Sequence, residues 1–394
     1  MAKPKLALIP AAQGDKFYSV LPSDGVGDFD FTRASTGTRI APTGLIEEVA
    51  SGDSRLNYDL LNGKVVNCPH YLLEPARTND ILNSQKISLA PIKAGTYTDN
   101  FAISPDGSLN ATKLTATDTD PYFYQNISYS AASYTASIYI KGIGNSVGKN
   151  FQIRLASNIY TDVIPLEWTR FEYTVTMPSG SSNVGVEIPN PAVIGDEVLV
   201  WGWQLEQGSY LTSYIPTNGT AITRAAESAT GSGDAATFND SEGVLMAETS
   251  SLVNSDTYRL ISLNDNSNSN EIFVGFRFDT GKLYYNIDSG GVGQSSFISD
   301  VTALNTSCKF CVKYKQNDIS FYINGFKLYS DSSANMPTGL SVLKMSRGND
   351  TLPFYGNTRE LQYFDSVLTD AQLETLTSWT SLQEMITSQL YTNY

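Results

Sequence analysis

Alternation is the feature that most constrains this chain. Apolar and polar residues take turns along Ser133-Tyr134-Thr135-Ala136-Ser137-Ile138-Tyr139-Ile140, along Phe151 to Leu155 and along Arg170 to Val175. A period of two marks a strand with one buried face, because successive side chains leave a sheet on opposite sides. Asp196 to Trp203 begins as a continuous apolar stretch, Val198-Leu199-Val200, and passes into Trp201-Gly202-Trp203. Further runs follow at Tyr258 to Leu263, Glu271 to Phe278, Lys282 to Ile287, Cys308 to Tyr314 and Ile319 to Ile323. Asn324-Gly325 stands between two apolar runs and predicts a two-residue type I′ hairpin. Strands at this spacing, separated by Gly, Ser, Pro and Asn, predict an all-β chain of antiparallel sandwiches or jelly rolls.

The pattern divides the chain. Residues 1–85 are rich in glycine, with only brief apolar runs such as Phe29-Asp30-Phe31-Thr32-Arg33 and Tyr71-Leu72-Leu73. They predict an irregular β-rich N-terminal region. Residues 86–224 predict a jelly roll and 241–378 a second sandwich that folds independently. Residues 225–240, Ala-Ala-Glu-Ser-Ala-Thr-Gly-Ser-Gly-Asp-Ala-Ala-Thr-Phe-Asn-Asp, are small and polar and predict a linker. A short C-terminal helix starts at Thr369 or Asp370, with Leu373, Leu376, Trp379, Leu382, Met385 and Ile386 at three- and four-residue steps. Residues 379–394 are its tail. Its apolar stripe either docks on the chain's own sandwich or meets a partner subunit.

Charge and composition exclude several classes. Lys and Arg number 26 against 40 Asp and Glu, a net charge of −14 without a basic block. Such a chain does not coat nucleic acid or an anionic membrane. One histidine excludes a His-rich metal site, and three cysteines cannot build a disulfide framework. No stretch approaches the roughly 18 apolar residues of a membrane span. Lys3, Lys5 and Leu6-Ala7-Leu8-Ile9 resemble a signal peptide, but the apolar stretch is shorter than the roughly 7–15 residues required and Pro10 ends it. A cytosol-made protein with free thiols is expected.

Three blocks carry a resemblance to bacteriophage virion proteins. The first is Lys3 to Pro10, Tyr18 to Pro22 and Gly27-Asp-Phe-Asp-Phe-Thr-Arg33, followed by Thr38-Arg-Ile, Gly44 to Val49 and Leu72-Leu-Glu-Pro-Ala-Arg-Thr-Asn79. It resembles the start of phage fibre and head-spike proteins. The second, Trp201-Gly-Trp-Gln-Leu-Glu-Gln-Gly208 with Thr212-Ser-Tyr-Ile-Pro-Thr217 and Thr223-Arg224, is similar to the end of a carbohydrate-binding-module-like jelly roll. The third resembles a laminin-G or concanavalin-A-like sandwich, through Val312-Lys-Tyr, Ser320 to Gly325, Leu361-Gln-Tyr-Phe and Leu368 to Leu373.

The resemblance implies a non-enzymatic fibre, spike or capsid or tail decoration subunit in the virion. Its N-terminal region would attach to the particle and oligomerise, and its sandwiches would meet host surface glycans. The implied partners are further copies of the chain, most simply in a trimer, and other virion proteins. Nucleic acid binding and membrane insertion are not expected. The alternative is a particle-bound polysaccharide depolymerase or lyase. Against it, the Glu-x-Asp-x-Glu spacing of concanavalin-A-like glycosidases is missing from 241–394, and Thr358-Arg-Glu-Leu-Gln362 matches a lyase strand only weakly. A secreted bacterial lectin is a third reading.

Candidate chemistry is sparse. Cys308 and Cys311 share a strand pattern in which residues three apart face opposite sides, so one zinc cannot take both. His70, the only histidine, reads as a turn residue without a role. Tyr122 and Tyr124 in Asp120-Pro-Tyr-Phe-Tyr-Gln-Asn126 share a strand face and are candidate sugar-stacking rings. Trp201 and Trp203, also two apart, are expected on one side of their strand, with Trp203 the better ligand candidate. Calcium, the one cofactor considered, has candidate ligands in Asp265, Asn349 and Asp350.

Overall fold

A computed structural model describes residues 3–61, 63–252, 257–277, 280–302 and 307–380. The chain is all-β, and its sheets are antiparallel. The alternating segments of 86–224 form two five-stranded sheets. One runs Ile92–Ala94, Tyr122–Tyr129, Gly180–Glu187, Asn150–Leu155, Asn158–Val163. The other runs Thr96–Ile103, Leu109–Thr115, Glu197–Gln207, Ala132–Ile143, Thr169–Met177. Phe123, Ile153, Val184 and Val186 of the first face Ile138, Ile140, Val198, Val200 and Leu205 of the second in one buried core. The core side chains come from alternate strand positions, as the period requires, except where Glu197–Gln207 passes from Val200 to Trp203.

The second sandwich draws on both ends of the chain. Its five-stranded sheet contains Val292–Thr302, Lys282–Ser289, Glu271–Phe276, Arg259–Asn264 and Val342–Lys344; Phe278 lies outside the described residues. The facing sheet has eight strands. Phe326–Asp331, Ile319–Ile323, Cys308–Lys315, Glu242–Ser251 and Gly356–Phe364 come from the C-terminal part. One edge of Gly356–Phe364 is then completed from the N-terminal region. Leu6–Leu8 pairs with Leu361 to Tyr363, and Lys64–Leu73 pairs with Gly356 to Thr358 and carries Leu56–Leu61 outside it. Leu6, Leu8, Phe17, Phe29, Phe31, Tyr71 and Leu73 share a core with Ile261, Val274, Phe310 and Phe321.

Two expectations about segmentation change accordingly. Residues 1–85 do not stand apart as a thin region, because most of their buried apolar side chains find their core in the second sandwich, while Ile81 enters the jelly-roll core and Ile46 packs on Trp201. Residues 225–240 are not a free linker. Ser228–Thr230 pairs with Phe29–Thr32, and Glu227, Ala229, Ser232 and Phe238 are buried. A segment cut at 241 would lose the strands that cover Gly356–Phe364.

Local expectations fare better. Ile323 pairs with Phe326 across Asn324-Gly325, and both turn residues have positive φ, 49° and 87°. The helix runs Asp370–Thr377 under a Thr369–Gln372 capping box. It docks on its own sandwich: Leu373 packs with Val244, Met246, Cys311, Tyr322, Phe364 and Leu368. Leu382, Met385 and Ile386 lie outside the described residues.

A buried chain of alternating charges joins these parts. Arg33 Nη1 donates to Glu227 Oε1 at 2.7 Å, and Arg55 Nε donates to the same oxygen at 2.7 Å. Arg55 Nη2 bonds Glu227 Oε2 and also reaches Glu74 Oε2 at 2.8 Å. Arg224 Nη1 lies 2.8 Å from that Glu74 oxygen. The order is therefore Arg33–Glu227–Arg55–Glu74–Arg224, and all five side chains are buried. Ser213 closes the network, donating from N and Oγ to Glu74 at 2.7 and 2.6 Å. Burial alone would push the Glu74 carboxyl up, but Arg224 and Arg55 outweigh it and hold it down at about 2.

Removing one member strands its partners as uncompensated buried charges, which costs about 3–5 kcal/mol. Glu227→Gln is expected to lower the unfolding free energy by that amount in urea titration. The transition should stay single, because the joint links both sandwiches. A first transition that releases one sandwich while the other stays folded would contradict this architecture.

Candidate functional site

The outer face of the jelly roll's first sheet carries a side-chain network built on Tyr124, Arg154, Glu187 and Asn190. Tyr124 pairs with Gly185, which pairs with Arg154; Tyr122 pairs with Glu187, which pairs with Gln152. Gly185 is required here. A Cβ at this position would sit 2.0 Å from the Phe123 carbonyl oxygen and 2.6 Å from Tyr124 Cδ1, so only glycine lets the neighbouring strand and the Tyr124 ring come this close. Tyr124 stacks on Tyr122 at 4.8 Å between centroids and 20° between planes.

The Tyr124 hydroxyl then bonds Glu187 Oε1. Arg154 donates to that oxygen from Nε at 3.0 Å and Nη2 at 2.6 Å, and Asn190 Nδ2 donates to Oε2 at 2.7 Å. Burial, then the Glu187 carboxylate, raises the Tyr124 hydroxyl well above its ordinary value. Burial, then the same carboxylate, also raises Asp120. The face can bind by stacking and hydrogen bonding, with Tyr122, Gln152, Asn126 and Asn183 as the groups still reachable from outside.

The sequence candidates divide. Tyr122 is half-buried and on the expected face. Tyr124 shares that face but is only 8% exposed, so it supports Tyr122 and does not present a ring of its own.

Trp203 is a correction. It is 2% exposed and meets Phe123 edge-on at 5.1 Å inside the core. Nor do Trp201 and Trp203 share a side. Ser137 pairs with Gln204 and Tyr139 with Trp201, so two residues on one strand oppose one on the other. Gly202 takes φ +68° at this bulge and shifts the parity. Trp201 turns outward to pack with Ile46, Ala111 and Tyr214, while Trp203 turns inward.

The calcium candidates are already occupied by protein groups. Asp265 Oδ1 accepts from Ser267 N and Oγ, and its Oδ2 accepts from Asn270 Nδ2. Asp350 Oδ1 pairs with the Lys344 ammonium at 2.9 Å, which puts a cation where calcium would have to sit. Asn349 Oδ1 accepts from Thr351 N and Oγ1. Among the described residues no group of three His, Cys, Asp or Glu is placed to hold a metal ion.

Cys308 and Cys311 do face opposite sides, one in the sandwich core and one beneath the helix, and burial pushes the Cys308 thiol up to about 12. His70 is not in a turn. It lies within Lys64–Leu73, fully buried, with Nε2 3.2 Å from Asn57 Nδ2.

Sequence reasoning missed Arg154, Glu187 and Asn190. The only available signal was an acid closing the apolar stretch Val184-Gly185-Val186-Glu187. Its arginine is 33 positions away and becomes a neighbour only through strand pairing.

No protein-family model matches the chain, and no curated protein matches it. Solved structures do align with part of it. The carbohydrate-binding module CBM40 of a Ruminococcus gnavus IT-sialidase is 17% identical with a TM-score of 0.30, over 36% of this chain and 84% of that one. A Bacillus licheniformis β-glucanase is 17% identical with a TM-score of 0.27, over 36% and 72%. Domain 4 of AbnA, a GH43 extracellular arabinanase from Geobacillus stearothermophilus solved with arabinotriose, is 12% identical with a TM-score of 0.30, over 43% and 82%. These are a carbohydrate-binding module and parts of carbohydrate-active proteins. At such values the likeness carries no argument about what this chain binds.

His70 yields a pH test. Burial, only partly offset by Asp59, lowers its imidazole from 6.5 to about 4. The unfolded chain takes up the proton first as pH falls, so stability is full above about pH 6.5 and declines from there towards pH 4. The loss is on the order of 3 kcal/mol. In His70→Gln the decline over that window should be smaller by this amount, measured by urea unfolding at each pH.

Proposed function

We propose that the chain is a non-enzymatic structural subunit of a bacteriophage particle, a fibre, spike or decoration protein that presents its sandwiches to glycans of the host surface. One observation carries this reading. The residues of the opening and middle resemblance blocks converge on a single joint. Arg33, Thr38 and Glu74 of the opening block meet Ser213 and Arg224 of the middle block through Arg55 and Glu227. Asn79 binds Trp203 and Ile215 carbonyls, and Gln204 accepts from Ile215 N. The blocks thus encode a rigid connection between an attachment region and projecting domains, which supports a structural part. Virion localisation and the attachment role of residues 1–85 belong to the proposal.

One observation favours the depolymerase alternative: Asp120 and Glu187 lie near enough for one carboxyl to raise the other. Glu187, however, is tied to Arg154, Tyr124 and Asn190. Incubating the protein with purified host surface polysaccharide separates the readings. Retention of the polymer at unchanged chain length, followed by size-exclusion chromatography, is expected. Shortening of the polymer would establish the enzyme instead, and failure to retain any host polysaccharide would reduce the sandwiches to spacers.

Self-assembly is part of the proposal, on different ground from the sequence expectation. The N-terminal region buries its own apolar residues, so a thin core no longer calls for a trimer. An exposed apolar patch supports it instead. Ile103 and Leu109 are paired neighbours, 56% and 58% exposed. Trp168 Nε1 donates to the Ile103 carbonyl at 3.0 Å, and Leu45 packs beside Gly107. A cluster of this kind is rarely left facing water. Light scattering should give a multiple of the 42.9 kDa chain, and Ile103→Asp with Leu109→Asp should shift it to the monomer. A wild-type monomer at micromolar concentration would remove the assembly.

A further inference from the structure

A polar cleft of about 750 Å³ lies where Arg77–Asn79 meets the start of Ala132–Ile143 and the end of Glu197–Gln207, and none of Tyr122, Tyr124 and Glu187 lines it. Its size is within the roughly 300–1,000 Å³ typical of ligand sites. Arg77, Thr78, Asp80, Ser133, Gln207 and Ser209 supply its polar lining.

Asp80 is the unusual member. Its backbone is fixed on both sides: the N–H donates to the Leu205 carbonyl at 2.9 Å, and the C=O accepts from Gln125 Nε2 at 2.9 Å. Its carboxylate is half-buried, yet among the described residues it has neither a cation nor a hydrogen-bond donor as partner. Burial alone raises that carboxyl above its ordinary value. A fixed, partly desolvated carboxylate without a partner costs stability, and such groups gather where a ligand completes them.

Arg77 lines the same cleft, with Nη1 donating to the Ala76 carbonyl at 3.1 Å. Its guanidinium lies 5.0 Å from the centroid of Tyr210, and its Nε is 3.9 Å from Glu206 Oε2. Gly208 leaves the space it occupies, since a Cβ there would come within 2.9 Å of Nη2. The cleft therefore offers the two acceptor oxygens of a carboxylate on a fixed backbone and a guanidinium packed against Tyr210, surrounded by neutral hydroxyls and an amide.

We propose that this cleft binds a neutral oligosaccharide, with ring hydroxyls donating to Asp80 and accepting from Arg77. The inference rests on the glycan-binding reading above and adds to it a second site and a ligand class. Each sugar hydroxyl both donates and accepts, so hydroxyls along one oligosaccharide can serve the carboxylate and the guanidinium together. An acidic saccharide would meet the Asp80 carboxylate and a chain of net charge −14. A cationic ligand would meet Arg77.

The full chain is titrated by calorimetry and saturation-transfer NMR with maltotriose, cellotriose and mannotriose, and with trigalacturonate as the acidic counterpart. At least one neutral trimer binds at millimolar concentration, and trigalacturonate binds more weakly. Asp80→Asn and Asp80→Ala each weaken the neutral trimer about tenfold or more, the effect of losing hydrogen bonds to a charged group. Glu374→Ala, exposed on the helix of the other sandwich, leaves trimer binding unchanged. Asp80→Asn also leaves the melting temperature equal or higher, because it removes an unpaired charge; this excludes misfolding as the cause of lost binding.

The proposal is overturned if no neutral trimer binds, if trigalacturonate binds best, or if the Asp80 variants bind as the wild type does. Host polysaccharide retained by the wild type and equally by Asp80→Ala, but lost in Tyr122→Ala, would remove the cleft and leave the wider glycan reading standing.

Discussion

The charge chain Arg33–Glu227–Arg55–Glu74–Arg224 is the interaction on which the rest of the architecture depends. Its members come from positions spread over almost two hundred residues, yet each carboxylate lies between two guanidiniums. An alternating row has only one arrangement in which every anion touches two cations. Shifting any contributing segment by one residue would point its charge away from the row. The joint therefore fixes how the N-terminal strands, the end of the jelly roll and residues 225–230 sit against one another. Those N-terminal strands in turn complete the eight-stranded sheet of the second sandwich.

A second constraint acts on the other side of the same connection. The Gly202 bulge changes the parity of Glu197–Gln207, so one strand serves two cores. Before the bulge, Val198 and Val200 point inward; after it, Trp203 and Leu205 do. Trp201, left on the outside, becomes the surface against which Tyr214 and the Ile46 hairpin pack. Without the extra residue, Trp203 and Leu205 would face away from the jelly-roll core.

Much of the fold was legible because it rests on local periodicity. The alternating strands, the Asn324-Gly325 turn and the Thr369 cap are each specified by a few consecutive residues, and each is found as expected. What misled was information carried by distant pairs. Residues 225–240 look like a spacer because they are small and polar, but Glu227 has its partners in Arg33 and Arg55, about 170 and more positions earlier. Trp203 looked accessible because period two was assumed to continue through a glycine. Tyr124 looked like a platform because the empty strand position opposite it, Gly185, could not be assigned before pairing was known. The sheet-face site was half legible: its tyrosines stood out, while the arginine and glutamate that hold them did not.

The chemistry of the joint also bears on why it is ionic. Apolar side chains of the same volume would be at least as stable, because desolvating five charges offsets most of their attraction. They would also be indifferent to exact position, since apolar contact is non-directional. Guanidinium and carboxylate groups are directional, and a misplaced one remains as a buried, unpaired charge. The ionic joint therefore contributes discrimination between arrangements more than it contributes stability. That distinction matters for domains that must hold a set angle to each other while a ligand pulls on one of them. Arg77 and Glu206 extend the same polar region towards the open cleft, with the guanidinium set between Tyr210 and Gly208. The groups that would meet a ligand there are continuous with the groups that align the domains.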